Sequence, residues 1–168
     1  KDYCAIRTLE KAGLTNVAYL PLHCSPHLHY PVTLTLEEEA RYGAPLSFVG
    51  NYYPYRGRFF QELNGYPLKI WGSGWAKAPD SEVRKMAQGH SVSGRAKLCV
   101  YSGATLSLNH HHPEDIEGMN IRAFELAGCG ACQVVDFQAG LPSLFTPGDE
   151  VIVYRNPNEL RRQVEYYL

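Results

Sequence analysis

Two glutamates eight positions apart, Glu117 and Glu125, bracket the stretch EGMNIRAFE, in which a glycine and an asparagine precede an apolar run. Either this is an ordinary solvated helix start with incidental carboxylates, or the two carboxylates face one ligand. Helix chemistry favours the second reading. Gly118 lets a phosphate approach the backbone closely. The amides of Met119 and Asn120 fall at the start of a predicted helix, where unpaired N–H groups and the helix dipole favour an anion. Glu125 lies about two turns further in, roughly 10 Å along the axis, and a carboxylate there can accept both hydroxyls of a ribose.

Such a site needs strands that end where the helices begin, and the chain supplies them. Apolar positions at helical spacing predict a helix over 3–14, stopped near Gly13, then a short strand over 16–22 and an irregular Pro- and His-rich connector over 23–44. From there strands and helices alternate. Strands are predicted over 45–51, 66–74, 90–94, 104–109, 131–136 and 150–154; helices over 56–65, 80–89 (capped by Asp80 or Ser81), 95–103, 118–130 and 156–168. The alternation predicts an α/β fold built on a doubly wound parallel sheet. Ligands bind such sheets beyond the carboxyl ends of the strands. Gly50 and Asn51, Gly72 to Trp75, Asn109 to Asn120, and Asp136 all fall at those ends.

Composition narrows the function. The chain has 168 residues, enough for one domain with a real core, and 16 basic against 17 acidic side chains. That balance argues against a dedicated nucleic-acid or anionic-membrane binder. No apolar run approaches the length of a membrane span. Five cysteines, an odd number at low density, suit a reducing, cytoplasmic setting. The opening KDYCAIRTLEKAGL has no initiating Met and reads as that of an excised segment. GSGWAK puts Lys77 where a dinucleotide fingerprint needs its third glycine, and no Walker loop is present.

Other motifs carry less. His110, His111 and His112 on an extended segment point to alternate sides, so they cannot easily share one metal ion. Cys129 and Cys132 have C-x-x-C spacing, but at a helix exit rather than the helix start that lowers a thiolate pKa. Packing is their expected role. Trp71 and Trp75 either stack on a base or sugar or belong to the core. Arg122 is expected to pair with Glu125 or a neighbouring helix rather than touch ligand.

The blocks FVGNYYPYRGRFF, KIWGSGW, LSLNHHHPEDIEGMNIRAFELAGCGA and LFTPGDEVIVYRNPNEL together resemble the CgeB-like (spore maturation protein type) glycosyltransferases, within the GT-B group related to glycosyltransferase family 1. The resemblance extends over nearly the whole chain, with NVAYLPLHCSPHLHYP similar to the crossover into the second GT-B domain. It implies a Rossmann-like donor domain over 45–168, preceded over 1–44 by a crossover from an N-terminal domain outside this sequence. It also implies a nucleoside-diphosphate sugar of UDP or GDP type as substrate. By this resemblance Glu125 matches the ribose-binding glutamate and Glu117 the one that faces the donor sugar. Gly118, Met119 and Asn120 match the loop against the diphosphate, and Gly50 and Asn51 the turn after the first strand. The family often has a basic residue where Asn51 stands. Arg56 or Arg58 would neutralise phosphate charge, Tyr101 would lie near the base, and Gly72 and Asn109 would line the site.

A helix N-terminus with Arg can stabilise a departing diphosphate without a metal, and no Asp-x-Asp is present to hold one. The expectation is therefore a metal-independent transferase with no cofactor, and the Glu-x7-Glu spacing, which resembles that of retaining GT-B enzymes, implies retention. The alternative is a non-catalytic sugar-nucleotide-binding or assembly module on the same fold. A Rossmann-like oxidoreductase is disfavoured by the incomplete fingerprint. The face meant for the other domain should be apolar and prone to self-association.

Overall fold

A computed structural model describes residues 3–168. Five parallel strands form one sheet: β1 (Ala44–Val49), β2 (Leu68–Trp71), β3 (Ala104–Asn109), β4 (Gln133–Asp136) and β5 (Ile152–Tyr154), in the spatial order β2-β1-β3-β4-β5. The helices are α1 (Tyr3–Lys11), α2 (Leu36–Tyr42), α3 (Pro54–Gln61), α4 (Ser81–Met86), α5 (Gly94–Ser102), α6 (Ile121–Gly128) and α7 (Pro157–Tyr167). After β1 the chain moves outward through α3 to β2, then returns across the sheet through α4 and α5 to β3. The winding direction therefore reverses between β1 and β3, and the crevice this opens lies beyond Val49 and Asn109.

Period-two alternation along the buried strands builds the two faces. Leu46, Phe48, Leu68, Ile70, Leu106 and Leu108 pack with Phe60 of α3, Val83 of α4, and Leu160 and Val164 of α7. On the opposite face Trp71 joins Leu98, Val100 and Tyr101 of α5 and Leu126 of α6. Between β1 and β3 the buried Ser47 and Ser107 hydroxyls satisfy one another at 3.0 Å.

The doubly wound sheet agrees with the sequence reading, and four local expectations are corrected. Residues 16–22 form no strand: they are not among the five paired strands, and Pro21 lacks the N–H a ladder needs. The 90–94 segment is not a strand either. Positive-φ Gly89 and Gly94 bracket it, and it offers β2 only isolated bonds, such as Gly72 N–H to His90 O at 3.0 Å. Helix α6 starts at Ile121 rather than Gly118 because Asn120 caps it, its side chain accepting the Ala123 N–H. Finally, the connector contains α2, whose capping box pairs Thr35 with Glu38. The TLEE signature was present in the sequence. The helix was hidden because it buries no residue, so no apolar stripe announces it.

Among the described residues no helix is long and apolar enough to cross a membrane. Trp71 and Trp75 are both core residues, and the Trp75 indole N–H donates to Gly50 O at 2.8 Å. That bond draws the β1 and β2 exits together so closely that a Cβ on Gly72 would lie 2.1 Å from Gly50 O. Gly72→Ala should therefore destabilise the domain by about 2–4 kcal/mol, read as a lowered midpoint in chemical denaturation. Thr35→Ala, which removes only a cap on an exposed helix, should cost about 1 kcal/mol.

Candidate functional site

The carboxyl ends of β1 and β3 are joined by one side-chain network centred on Asn109, which is fully buried. Its Nδ2 donates to Gln133 Oε1 at 2.9 Å, which orients the amide. Its Oδ1 then accepts from Asn120 Nδ2 at 2.8 Å and from Arg122 Nη1 at 3.0 Å. Arg122 also donates from Nε to Val49 O at 2.7 Å, so one guanidinium bridges the two strand ends where the winding reverses. Gly50 makes room for it: a Cβ there would lie 2.7 Å from Arg122 Nη2.

Arg56 approaches the same place from the first turn of α3. Its Nη1 donates to Asn51 O at 2.6 Å, and its guanidinium lies 5.1 Å from the Phe48 ring centroid, while that of Arg122 lies at 4.6 Å. Arg56 Nε is buried without an acceptor. Among the described residues no carboxylate is within salt-bridge distance of either guanidinium. Burial, reinforced by the nearby Arg122 charge, pulls the Arg56 pKa down to about 10. Two cations on one aromatic ring, Arg56 buried and Arg122 half-buried, with no carboxylate between them among the described residues, are a costly arrangement that a bound anion would relieve. Arg58, about half a helical turn on, is exposed and stands outside this pair. Asn51 ties the two neighbouring loops together, its Oδ1 accepting from the Ser73 backbone and hydroxyl at 3.1 and 2.9 Å.

Three histidines follow β3, each with a different environment. His110 stacks on Phe59 with ring centroids 3.8 Å apart and meets the Tyr154 hydroxyl at 3.1 Å through Nδ1. Burial pulls its pKa down to about 4, so it is neutral at pH 7. His111 turns inward and is buried: Nδ1 lies 2.7 Å from Asp136 Oδ1, and Nε2 lies 3.1 Å from the Asn120 backbone nitrogen. Burial would raise the Asp136 carboxyl, but hydrogen bonds from the His111 ring and backbone outweigh it and hold it below its ordinary value. His112 packs edge-on against Tyr53 and Tyr55. Among the described residues no cluster of three or more His, Cys, Asp or Glu is arranged to hold a metal ion.

The two glutamates that drew attention in the sequence have separate surroundings. Glu117 pairs with Arg7 of α1 at 2.5 Å, at the edge of a cleft of about 350 Å³ also lined by Ala139, Gly140 and Ser143. Glu125 is buried on the α5 side of α6. Lys97 Nζ lies 2.6 Å and the donating Tyr101 hydroxyl 3.2 Å from its Oε2, and His29 Nε2 of the connector lies 3.4 Å from Oε1. Burial pushes the Tyr101 phenol far above its ordinary range, so it acts as a neutral donor. Gly118 and Met119 are buried, and the Met119 side chain packs with Ala123, Val135 and Leu141. The Asn120 amide is taken by His111, which leaves the N–H groups of Ile121 and Arg122 in the first turn of α6 without intrahelical acceptors.

Sequence reasoning had set Arg122 apart from any ligand; it placed His111 and Asp136 at the ligand-binding strand ends without pairing them, and did not single out Lys97 or His29. The one signal for Arg122 was its place two positions past a good cap residue, Asn120, after a strand end. Cys129 is buried and Cys132 exposed, and no disulfide joins the described cysteines.

The His110 environment has a measurable consequence. Its folded pKa, about 4, lies below the ordinary 6.5, so protonation favours the unfolded chain. Stability is complete above the unfolded value and falls as pH drops towards the folded one. The loss should reach about 2 kcal/mol between pH 7 and pH 5. In denaturant titrations His110→Phe, which keeps the stack on Phe59, should flatten that dependence.

Comparison with known proteins places this geometry. A family model described as glycosyl transferase-like matches residues 56–168. The chain is 24% identical over 176 residues to the spore protein CgeB of Bacillus subtilis (strain 168), covering 95% of this chain and 53% of that protein. It thus spans about half the length of that curated relative. Among solved structures, sucrose-phosphate synthase from Thermosynechococcus elongatus superposes with a TM-score of 0.60 at 16% identity, over 87% of this chain and 42% of the other. An α1,3-fucosyltransferase superposes at 0.50 and 16% identity, over 85% and 35%. The parallel sheet is thus of the GT-B glycosyltransferase type, and the chain belongs to the glycosyl transferase-like family, as a CgeB-like domain.

Proposed function

We propose that this chain is the donor-binding part of a glycosyltransferase, and that it holds the diphosphate of a UDP- or GDP-type sugar in the crevice between β1 and β3. The observation that carries the reading is the pair Arg56 and Arg122, two cations without a carboxylate partner among the described residues, at the point where the sheet reverses its winding. When the glycosidic bond to the nucleotide breaks, negative charge accumulates on the departing diphosphate. Preorganised guanidinium donors and the first-turn amides of α6 stabilise that charge without reorganising. No metal is required by this scheme. Glu125 serves the ribose hydroxyls and Glu117 the transferred sugar, with Gly50, Gly72 and Asn109 keeping the floor of the crevice close to the ligand. Gly118, Met119 and Asn120 act through the loop they build. The Glu-x7-Glu spacing favours retention at the anomeric carbon. The acceptor site belongs to the remaining half of the protein, beyond residues 1–44 as crossover, and free thiols suit a cytoplasmic enzyme.

One observation favours a second reading. Glu125 is already engaged by Lys97, Tyr101 and His29. A carboxylate so committed fits a binding or assembly module in which it is purely structural.

Titration calorimetry with UDP, GDP, ADP and NAD separates these. The donor reading expects one nucleoside diphosphate to bind selectively. Arg122→Gln should weaken it about 10- to 100-fold, the range for losing a charged hydrogen bond, and Glu125→Ala should weaken it at unchanged stoichiometry. Lower thermal stability for Glu125→Ala with unaltered affinity would favour the module. Failure of all four ligands to bind would sink the donor reading.

A further inference from the structure

We propose that His111 and Asp136 form a positioning dyad that sets the start of α6 and, through it, aims the Arg122 guanidinium. The imidazole is buried and uses both nitrogens. Nδ1 faces a carboxylate, an acceptor, and Nε2 faces the Asn120 backbone N–H, a donor. Only the neutral tautomer with its proton on Nδ1 satisfies both partners at once. The His111 backbone N–H adds a second bond to the same Asp136 oxygen at 3.0 Å, and Gln138 Nε2 meets the other oxygen at 3.3 Å. The carboxylate at the end of β4 is thereby locked in place.

From there the order passes along a short covalent and hydrogen-bonded path. His111 holds the Asn120 amide; Asn120 caps α6 and bonds Asn109 Oδ1; Arg122, two residues later, bonds the same oxygen and then Val49 O. Because Asn120 stands immediately before the helix, a shift of its amide moves the first turn and swings Arg122 off the β1 exit. The His111 ring bonds Asp136 and the Asn120 N–H rather than a guanidinium, so it acts through Asn120, while the adjoining His110 carbonyl lies 3.5 Å from Arg122 Nη1; His111 is therefore a positioning residue.

The two ring nitrogens can be replaced separately. In His111→Gln the amide oxygen can reach the place of Nε2 and accept the Asn120 N–H. In His111→Asn the amide nitrogen can take the place of Nδ1 and serve Asp136, leaving Asn120 unpaired. Nitrogen-15 NMR of the wild type should show the Nδ1–H tautomer of His111. The Arg122 Nε–H, donated to Val49 O, should give a slowly exchanging signal that persists in His111→Gln and is lost in His111→Asn and His111→Ala. The opposite tautomer, or equal Arg122 protection in all variants, would overturn the dyad. Should the alanine variant not fold, the Gln and Asn pair carries the comparison.

A second readout rests on the donor reading above. Inorganic pyrophosphate should bind the Asn variant about tenfold more weakly than the wild type and the Gln variant within about threefold, as for loss or retention of a charged contact. Equal affinities in a protein that binds pyrophosphate would overturn the proposal. If the wild type binds none, the donor reading fails, and the Arg122 signal alone decides the dyad.

Discussion

The bridge that Arg122 makes between Val49 O and Asn109 Oδ1 is the contact on which the crevice depends. At a topological switch point two adjacent strands send their chains in opposite directions, and the backbone beyond them loses its lateral partners. Something must span that gap without filling it. Arg122 does so from the first turn of α6, with Gly50 bare beneath it. The same guanidinium is thus a structural tie shared by both strand ends, with its Nη2 over Gly50. Asn109, oriented by Gln133, fixes its height.

Holding a second guanidinium nearby has a thermodynamic consequence. Arg56 is desolvated, lies against Phe48, Tyr53 and Tyr55, and is depressed in pKa by burial and by its neighbour. Burial of Arg56 beside a second cation is a local cost. That the sequence keeps both at one spot is intelligible if an anion completes the set. Strain of this kind commonly collects at functional sites, where the local cost is offset by the rest of the fold. Here the offset is the pair of hydrophobic faces packed on the five strands.

The Glu125 cluster raises a different issue. The Glu125 carboxylate is already engaged by Lys97, Tyr101 and His29, and the connector that carries His29 is packed along the end of α6. A Cβ added at Gly128 would lie 2.9 Å from Cys24 Sγ, and one at Gly130 would lie 3.4 Å from Pro31. Gly128 and Gly130 thus make room for the connector, which brings residues 24–31 against the helix that carries Glu125.

The alternation of short apolar strands with helices was enough to establish the parallel sheet, because a buried strand sets large apolar residues at alternate positions, as in Leu46 and Phe48, Leu68 and Ile70, and Leu106 and Leu108. Strand ends, and hence the neighbourhood of Gly50, Asn51, Gly72, Asn109 and Asn120, were legible for the same reason. Elements without an apolar stripe were not: α2 was missed, and 16–22 and 90–94 were read as strands, since local pattern says nothing about whether a partner strand exists. Tertiary structure alone decided that Arg122 turns to β1 rather than to Glu125, and that His111 turns inward to Asp136 while His110 stacks on Phe59. It also brought Arg56 to the same ring as Arg122, across 66 residues of sequence. Spacing along a chain fixes which side chains share a helix face, but a hydrogen bond between distant segments depends on how the sheet is wound, and no local propensity encodes that.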